Sequence, residues 1–179
     1  MSLDNVLARK PDLPMDDAYD EALRVAMELG IHTVDAEEGS LLVLDESTRQ
    51  LVFEMTAGDM LSESALRGQH VAVGQGLTGL AALTGEIQVG VPANGSVHHP
   101  EHRDEQPPRY LIAAPMFAGK HLVGVLTAAT YRSEQRFSSD QVRIFGRVAA
   151  LAGIVVAERL RNRLFGDMRS GLAMAGSIE

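Results

Sequence analysis

The sequence predicts an α+β fold in which one helix precedes an antiparallel sheet and another follows it. Strand-length apolar runs occur twice at hairpin distance, and hairpins pair their strands antiparallel. Near both ends of the chain, apolar residues recur at helical spacing instead. The first strand is apolar on both faces, which predicts a covering layer on each side of the sheet.

The first half of the chain supplies one helix and one hairpin. A helix is predicted from Met15, where acidic residues suit the helix dipole, to Gly30, because glycine commonly ends helices. Strands are predicted over 39–45 and 50–56, joined by a turn at 46–49.

A glycine-rich segment follows this hairpin. Gly74, Gly76 and Gly79 have the spacing of a dinucleotide-binding fingerprint. About 20 residues further on, however, that fingerprint needs an acidic residue within a strand–helix–strand unit, and this chain reaches a histidine-rich loop instead. We interpret the segment as a tight turn into a short helix over 77–83, with an anion held by backbone amides as the alternative.

The second half is predicted to complete the sheet. A strand at 87–91 leads into a polar loop at 92–108, and a loop of that length is typical of a functional lid or of a disordered segment. Strands at 110–117 and 122–130 form the strongest predicted hairpin, around a turn at 118–120.

The last helix begins with a capping box, Ser138 followed by Gln141, and is predicted to run to about Arg163. The chain is therefore divided into an N-terminal arm at 1–14, a domain at 15–165 and a flexible C-terminal tail at 166–179.

Composition excludes several classes of function. The net charge of −8 argues against nucleic acid as a partner, because nucleic-acid binders need a cationic surface. No apolar run reaches the ~20 residues of a membrane-spanning helix, and the first residues do not resemble a signal peptide. Cysteine is absent, which excludes disulfides and thiolate catalysis and favours a cytoplasmic location.

The charge is unevenly distributed along the chain. Residues 1–60 contain fourteen acidic and four basic residues, whereas residues 138–170 contain six arginines and three acidic residues. Opposite charges favour packing of the two terminal helices side by side, within one subunit or across a homodimer.

The only cluster with metal-ligand chemistry is formed by His98, His99 and His102. Such a cluster is consistent with a solvated polar loop, with metal or haem ligation, or with contact to an organic ligand. Lys120 lacks the surroundings of a phosphate-binding loop. No nucleophile motif or paired acid–base groups stand out, so we predict no catalytic residues, no metal site and no enzyme activity.

Three stretches, at 71–86, 113–126 and 137–140, together resemble the GAF domain, a small-molecule-sensing module of signalling proteins. The resemblance covers residues 15–164. It implies a central antiparallel sheet with terminal helices on one face and the loop and short helices on the other. It also implies a ligand held between the sheet and that second layer, in a regulatory module that signals through paired terminal helices as a homodimer.

By this resemblance, five residues lie near the mouth of the pocket: His98, His99, His102, Arg109 and Tyr110. Relatives that attach bilins or reduce methionine sulfoxide use cysteines, so both roles are excluded here. The signature of cyclic-nucleotide-binding members is not assembled, and the residues assign no particular cofactor. The alternatives are an interaction and dimerisation module with a vestigial pocket, or a histidine-ligated haem or metal sensor.

Overall fold

The structure, a computed structural model, describes residues 14–58, 66–92, 108–131 and 136–175. Within these ranges the chain forms three helices and six strands. In chain order they are α1 (Met15–Thr33), β1 (Glu38–Asp45), β2 (Gln50–Gly58), β3 (His70–Ala72), α2 (Gly76–Thr84), β4 (Gln88–Gly90), β5 (Tyr110–Ala118), β6 (His121–Thr130) and α3 (Ser139–Ala175).

The six strands form one antiparallel sheet in the order β3-β2-β1-β6-β5-β4. β1 lies at the centre, paired with β2 on one side and β6 on the other. Both predicted hairpins are present, β1–β2 and β5–β6. The central position of the first apolar strand is therefore confirmed.

Each face of the sheet carries its own core. On one face α1 and α3 pack through Leu23, Met27 and Phe145 against side chains such as Leu41 and Leu126. On the other face Leu42, Phe53 and Leu111 pack with Ala81 and Ala82 of α2. This arrangement of a sheet between two helical layers confirms the predicted α+β class, with terminal helices on one face and the short helix on the other.

The glycine-rich segment is a tight turn into a helix, as predicted. Gly74 and Gly76 have positive φ angles of 92° and 61°, which suit glycine. A Cβ at Gly79 would lie 2.3 Å from the carbonyl oxygen of Ala72, so only glycine fits this approach. The N–H of Gly74 donates to the carbonyl of Gly79 at 2.8 Å, which occupies that amide within the turn.

Two predicted helix ends are wrong. α1 continues past Gly30 to Thr33. Gly30 instead packs against α3, where a Cβ at Gly30 would lie 3.1 Å from the ring of Phe145. The close contact between the two helices explains this glycine better than chain termination does. α3 starts with the predicted capping box, in which Ser138 and Gln141 bond reciprocally, but it runs beyond Arg163 to Ala175.

Candidate functional site

Polar side chains gather at one end of the sheet face that carries α2. Glu38 and Ser40 alternate with apolar residues along β1, so they share the face of Leu42. Thr56 of β2 and Thr127 of β6 lie directly opposite Ser40 in register. All four side chains are buried, although the rest of this face is apolar.

Glu38 is the buried carboxylate of this group, with 1% of its surface exposed. The hydroxyl of Tyr131 donates to its Oε2 at 2.6 Å. The backbone N–H of Tyr131 donates to Oε2 of Glu37 at 2.9 Å. These two bonds fix the end of β6 against the beginning of β1 and orient the Glu38 carboxylate.

A small cavity of about 10 Å³ opens beside this carboxylate. It is lined by Glu38, Gly39, Ser40, Leu111, Thr127, Ala129 and Tyr131. A space of this size holds one water-sized group. The lining combines apolar residues of the strands with side chains that can form hydrogen bonds. Binding sites that hold a small ligand in one orientation have this combination.

The structure separates the sequence-predicted ligand residues. Arg109 is exposed just before β5, and its backbone N–H donates to the carbonyl of Thr130 at 2.8 Å. Tyr110 begins β5, where strand alternation places it on the face of Ile112, which packs against the terminal helices. His98, His99 and His102 lie outside the described residues. A ligand contact by any of the five stays a prediction.

Sequence reasoning missed the polar group on β1 and β6. Its one signal is the Glu38-Gly39-Ser40 start of a strand that is otherwise apolar, where polar residues two apart must share a face. Thr127 and Tyr131 gave no such signal, because only the strand register places them beside β1.

A second buried polar cluster lies on the opposite face of the sheet. The guanidinium of Arg159 on α3 donates to Asp20 of α1 at 2.6 Å and to Glu54 of β2 at 2.8 Å. Only 1% of the Arg159 side chain is exposed. Glu54 is the extra residue where the β1–β2 register shifts, and that bulge turns its carboxylate towards the helices. This ion pair therefore connects both terminal helices to the sheet.

Two features of the described ranges bear on other functions. They contain no group of three histidine, cysteine or acidic residues arranged to hold a metal ion. None of their helices is both long and apolar enough to cross a membrane.

Comparison with known families decides the relationship that the sequence suggested. A sequence model described as the GAF domain matches residues 12–157. The chain belongs to the GAF domain family. GAF domains are commonly sensory or regulatory modules in signalling proteins. A search of curated proteins finds no match.

Solved GAF structures share the fold. The GAF domain of a phosphoenolpyruvate-protein phosphotransferase from Coxiella burnetii has a TM-score of 0.67 at 18% identity, over 92% of each chain. The second GAF domain of DevS from Mycobacterium smegmatis has a TM-score of 0.65 at 16% identity, over 82% of this chain and 99% of that one.

Some similar GAF structures are enzymes. The free methionine-R-sulfoxide reductase from Neisseria meningitidis, solved with its substrate, has a TM-score of 0.54 at 19% identity, over 85% of this chain and 95% of that chain. Because all three identities are low, these likenesses establish the fold and no shared ligand.

Proposed function

We propose that this GAF domain is a non-catalytic regulatory module that binds a small ligand between the sheet and the segment at 92–108. The observation that carries the proposal is the polar cavity on the α2 side of the sheet. A buried carboxylate and buried hydroxyls beside an otherwise apolar strand face supply the few polar groups that fix the orientation of a small ligand. The absence of cysteine suits a module in the cytoplasm and leaves no thiol for a redox reaction.

Signal output in this proposal passes through α1 and α3. The two helices pack antiparallel, because Asp16 bonds Asn162 at one end and Gly30 meets Phe145 at the other. Their outer surface carries exposed apolar residues, and a second copy of the chain is the partner that we assign to it. A ligand shifts such a dimer only by binding one of its states better than another.

The test is a thermal-shift screen of the full chain with nucleotides, amino acids, nitrate and haem. A stabilising ligand should lose its effect in Ala129→Met, which fills the cavity, and keep it in Ala72→Met, which adds the same atoms at an exposed position of the edge strand β3. If no compound stabilises the protein, or if Ala129→Met responds like the parent, ligand binding at this cavity is contradicted.

The size of the cavity supports a second candidate. A space of about 10 Å³ is small for an organic ligand, and this favours a protein-interaction module whose pocket is closed by its own side chains. In that case no compound of the ligand screen stabilises the protein, whereas the dimer still forms through α1 and α3.

A further inference from the structure

The outward surface of α3 carries a row of residues with the spacing of a coiled coil, which we call the α3 seam. Its members are separated alternately by three and four residues: Leu151, Ile154, Glu158, Arg161, Phe165 and Met168. We propose that the α3 seam binds the α3 seam of a second copy with the two helices antiparallel, about a twofold axis between Glu158 and Arg161. This inference rests on the dimer of the proposed function and specifies its geometry.

The α3 seam has the same chemical order in both directions from its centre. Two apolar residues lie on each side of a central acid and base, and all four apolar side chains are more than half exposed. When one helix is reversed about the centre, Leu151 meets the partner's Met168, and Ile154 meets the partner's Phe165. Every outer layer of the contact is then apolar against apolar, as coiled-coil packing requires.

Charge at the centre selects the antiparallel orientation. In a parallel pair each residue meets its own copy, so Glu158 faces a carboxylate and Arg161 faces a guanidinium, and like charges at short range oppose association. In the antiparallel pair Glu158 faces the partner's Arg161, and the twofold axis repeats this contact. Within one chain Arg161 already donates to Glu158, so the four groups form a ring of alternating charge.

The projecting end of α3 supports the same orientation. Asp16, near the start of α1, bonds Asn162, and α3 continues past this point to Ala175. Phe165 and Met168 lie on this projecting part and are 57% and 62% exposed. The antiparallel arrangement covers them with the part of the partner's α3 that is packed on its own sheet, so an apolar surface is covered by a rigid one.

Cysteine cross-linking distinguishes the two orientations, because the natural chain contains no cysteine. Full-length Leu151→Cys and Met168→Cys are oxidised separately and as an equilibrated mixture, and the products are separated on a non-reducing gel. In the antiparallel dimer the two copies of position 151 are about 25 Å apart along the helices, at ~1.5 Å per residue, which is beyond the roughly 7 Å that a disulfide spans. Covalent dimer should therefore form in the mixture only.

Leu83→Cys controls for random collisions. Leu83 is exposed on α2, on the other face of the sheet, and its variant should give only background cross-linking. All three substitutions are at exposed positions, so the fold should be retained.

A charge exchange provides an independent test. Glu158→Arg should raise the dimer Kd about tenfold or more, because the partner's Arg161 then meets a like charge, and combining it with Arg161→Glu should restore association. Sedimentation equilibrium measures both values. Asp140→Arg is the matched control, since Asp140 forms the same kind of pair with Arg143 outside the α3 seam and the change in net charge is equal.

Three results overturn the antiparallel arrangement while the parent remains dimeric. They are cross-linking of Leu151→Cys or Met168→Cys alone above the background, a mixture without covalent dimer, and a double charge variant that dimerises no better than Glu158→Arg. A monomeric parent instead removes the dimer of the proposed function, and the arrangement with it. Failure of ligand binding is recognised separately, in the thermal-shift screen.

Discussion

Arg159 shows how one residue connects three elements. Its guanidinium is buried, and its two bonded partners, Asp20 and Glu54, are both partly exposed. Its Nε has no partner within the described residues, so the cluster is incompletely satisfied even with both carboxylates present. A buried charge of this kind contributes little net stability while paired, but it becomes costly when a partner is removed.

We therefore expect removal of an acidic partner to lower the free energy of unfolding more than removal of the buried arginine does. Glu54→Ala leaves Arg159 buried with one carboxylate fewer and should lower the free energy of unfolding by about 3 kcal/mol. Arg159→Met leaves two carboxylates that reach water and fills the same volume, so its cost should be about 1 kcal/mol or less. Urea denaturation of the two variants and the parent gives both values.

Arg161→Met provides the control for the arginine substitution. Arg161 forms an exposed pair with Glu158 one turn away, and such pairs contribute about 0 to 1 kcal/mol. A larger loss for Arg159→Met than for Glu54→Ala would contradict the expected order.

The structure predicts the acid–base behaviour of Asp45, the last residue of β1 before the turn to β2. The hydroxyl of Ser47 donates to its carboxylate at 2.6 Å, and the backbone N–H of Ser47 donates at 2.9 Å. These bonds and those from Thr48 lower the pKa of Asp45 below its ordinary value of 3.8, with the Ser47 hydroxyl as the largest cause. The associated stability is present above pH 3.8 and is lost as the pH falls through the lower, folded pKa.

Ser47→Ala should raise the pKa of Asp45 towards 3.8, because the largest stabilising bond to the ionised form disappears. A ¹³C NMR titration of the side-chain carboxyl measures this shift. Ser139→Ala, in the first turn of α3, should leave it unchanged. A wild-type Asp45 that titrates at 3.8 or higher would contradict the hydrogen bonding described for this turn.

At the scale of elements, α3 lies directly on β5 because Gly153 has no side chain. A Cβ at this position would lie 2.6 Å from the carbonyl oxygen of Phe117 and 2.8 Å from its nitrogen. Backbone cannot move aside as a flexible side chain does, so the helix must shift. A Cβ at Gly166, in the same helix, would have no described atom within 4 Å.

Glycine-to-alanine substitutions in α3 should therefore have opposite effects at these two positions. Gly153→Ala should destabilise the domain by about 2 kcal/mol, since the overpacking outweighs the gain in helix propensity. Gly166→Ala should stabilise by about 0.5 to 1 kcal/mol through propensity alone. Thermal unfolding of both variants tests this, and stabilisation by Gly153→Ala would refute the close helix–strand packing.

Local signals explain which elements were predictable from the sequence. The capping box at Ser138 and the two hairpins depend on residues that are near one another in the chain, and both appear as predicted. The end of α1 is predicted wrongly because a glycine can either end a helix or allow another element to pack closely. Only the position of Phe145 beside Gly30 shows which of the two applies.

At the scale of the whole molecule, the family and the layering were predictable, but the site was not. The order of a glycine turn, a hairpin and a capped helix identified the GAF domain. The candidate site depends instead on register between strands that are distant in sequence, since Ser40 meets Thr127 only across β1 and β6. Composition and periodicity carry no information on such pairings.

The outer face of the helix pair is an apolar surface that the described chain leaves uncovered. On α1, Met15, Ala18, Ala22, Val25 and Leu29 are exposed at alternating spacings of three and four residues. Leu151 and Ile154 on α3 are 62% and 56% exposed, and they lie on the outer surface of the same antiparallel pair. Exposed apolar residues at this spacing are typical of helices that pack against further helices.

The charges beside these apolar residues support the proposal that a second copy covers the surface. α1 carries acidic residues such as Asp17 and Glu28 beside its apolar stripe, and α3 carries arginines such as Arg143 and Arg147 beside its own. In the proposed dimer, a twofold axis would bring α1 of one protomer against complementary charge on α3 of its partner. This complementarity favours the four-helix dimer of the proposed function over a heterologous partner.

Leu151→Arg should convert this dimer to a monomer, because it places a charge within the apolar interface. The mass in solution at tens of micromolar protein, from light scattering or sedimentation equilibrium, measures the effect. Leu83→Arg is the matched control: Leu83 is 57% exposed on α2, on the opposite side of the sheet, and its variant should remain dimeric. A monomeric parent, or a dimeric Leu151→Arg, would show that the helix pair does not bind a second copy and would remove the proposed route of signal output.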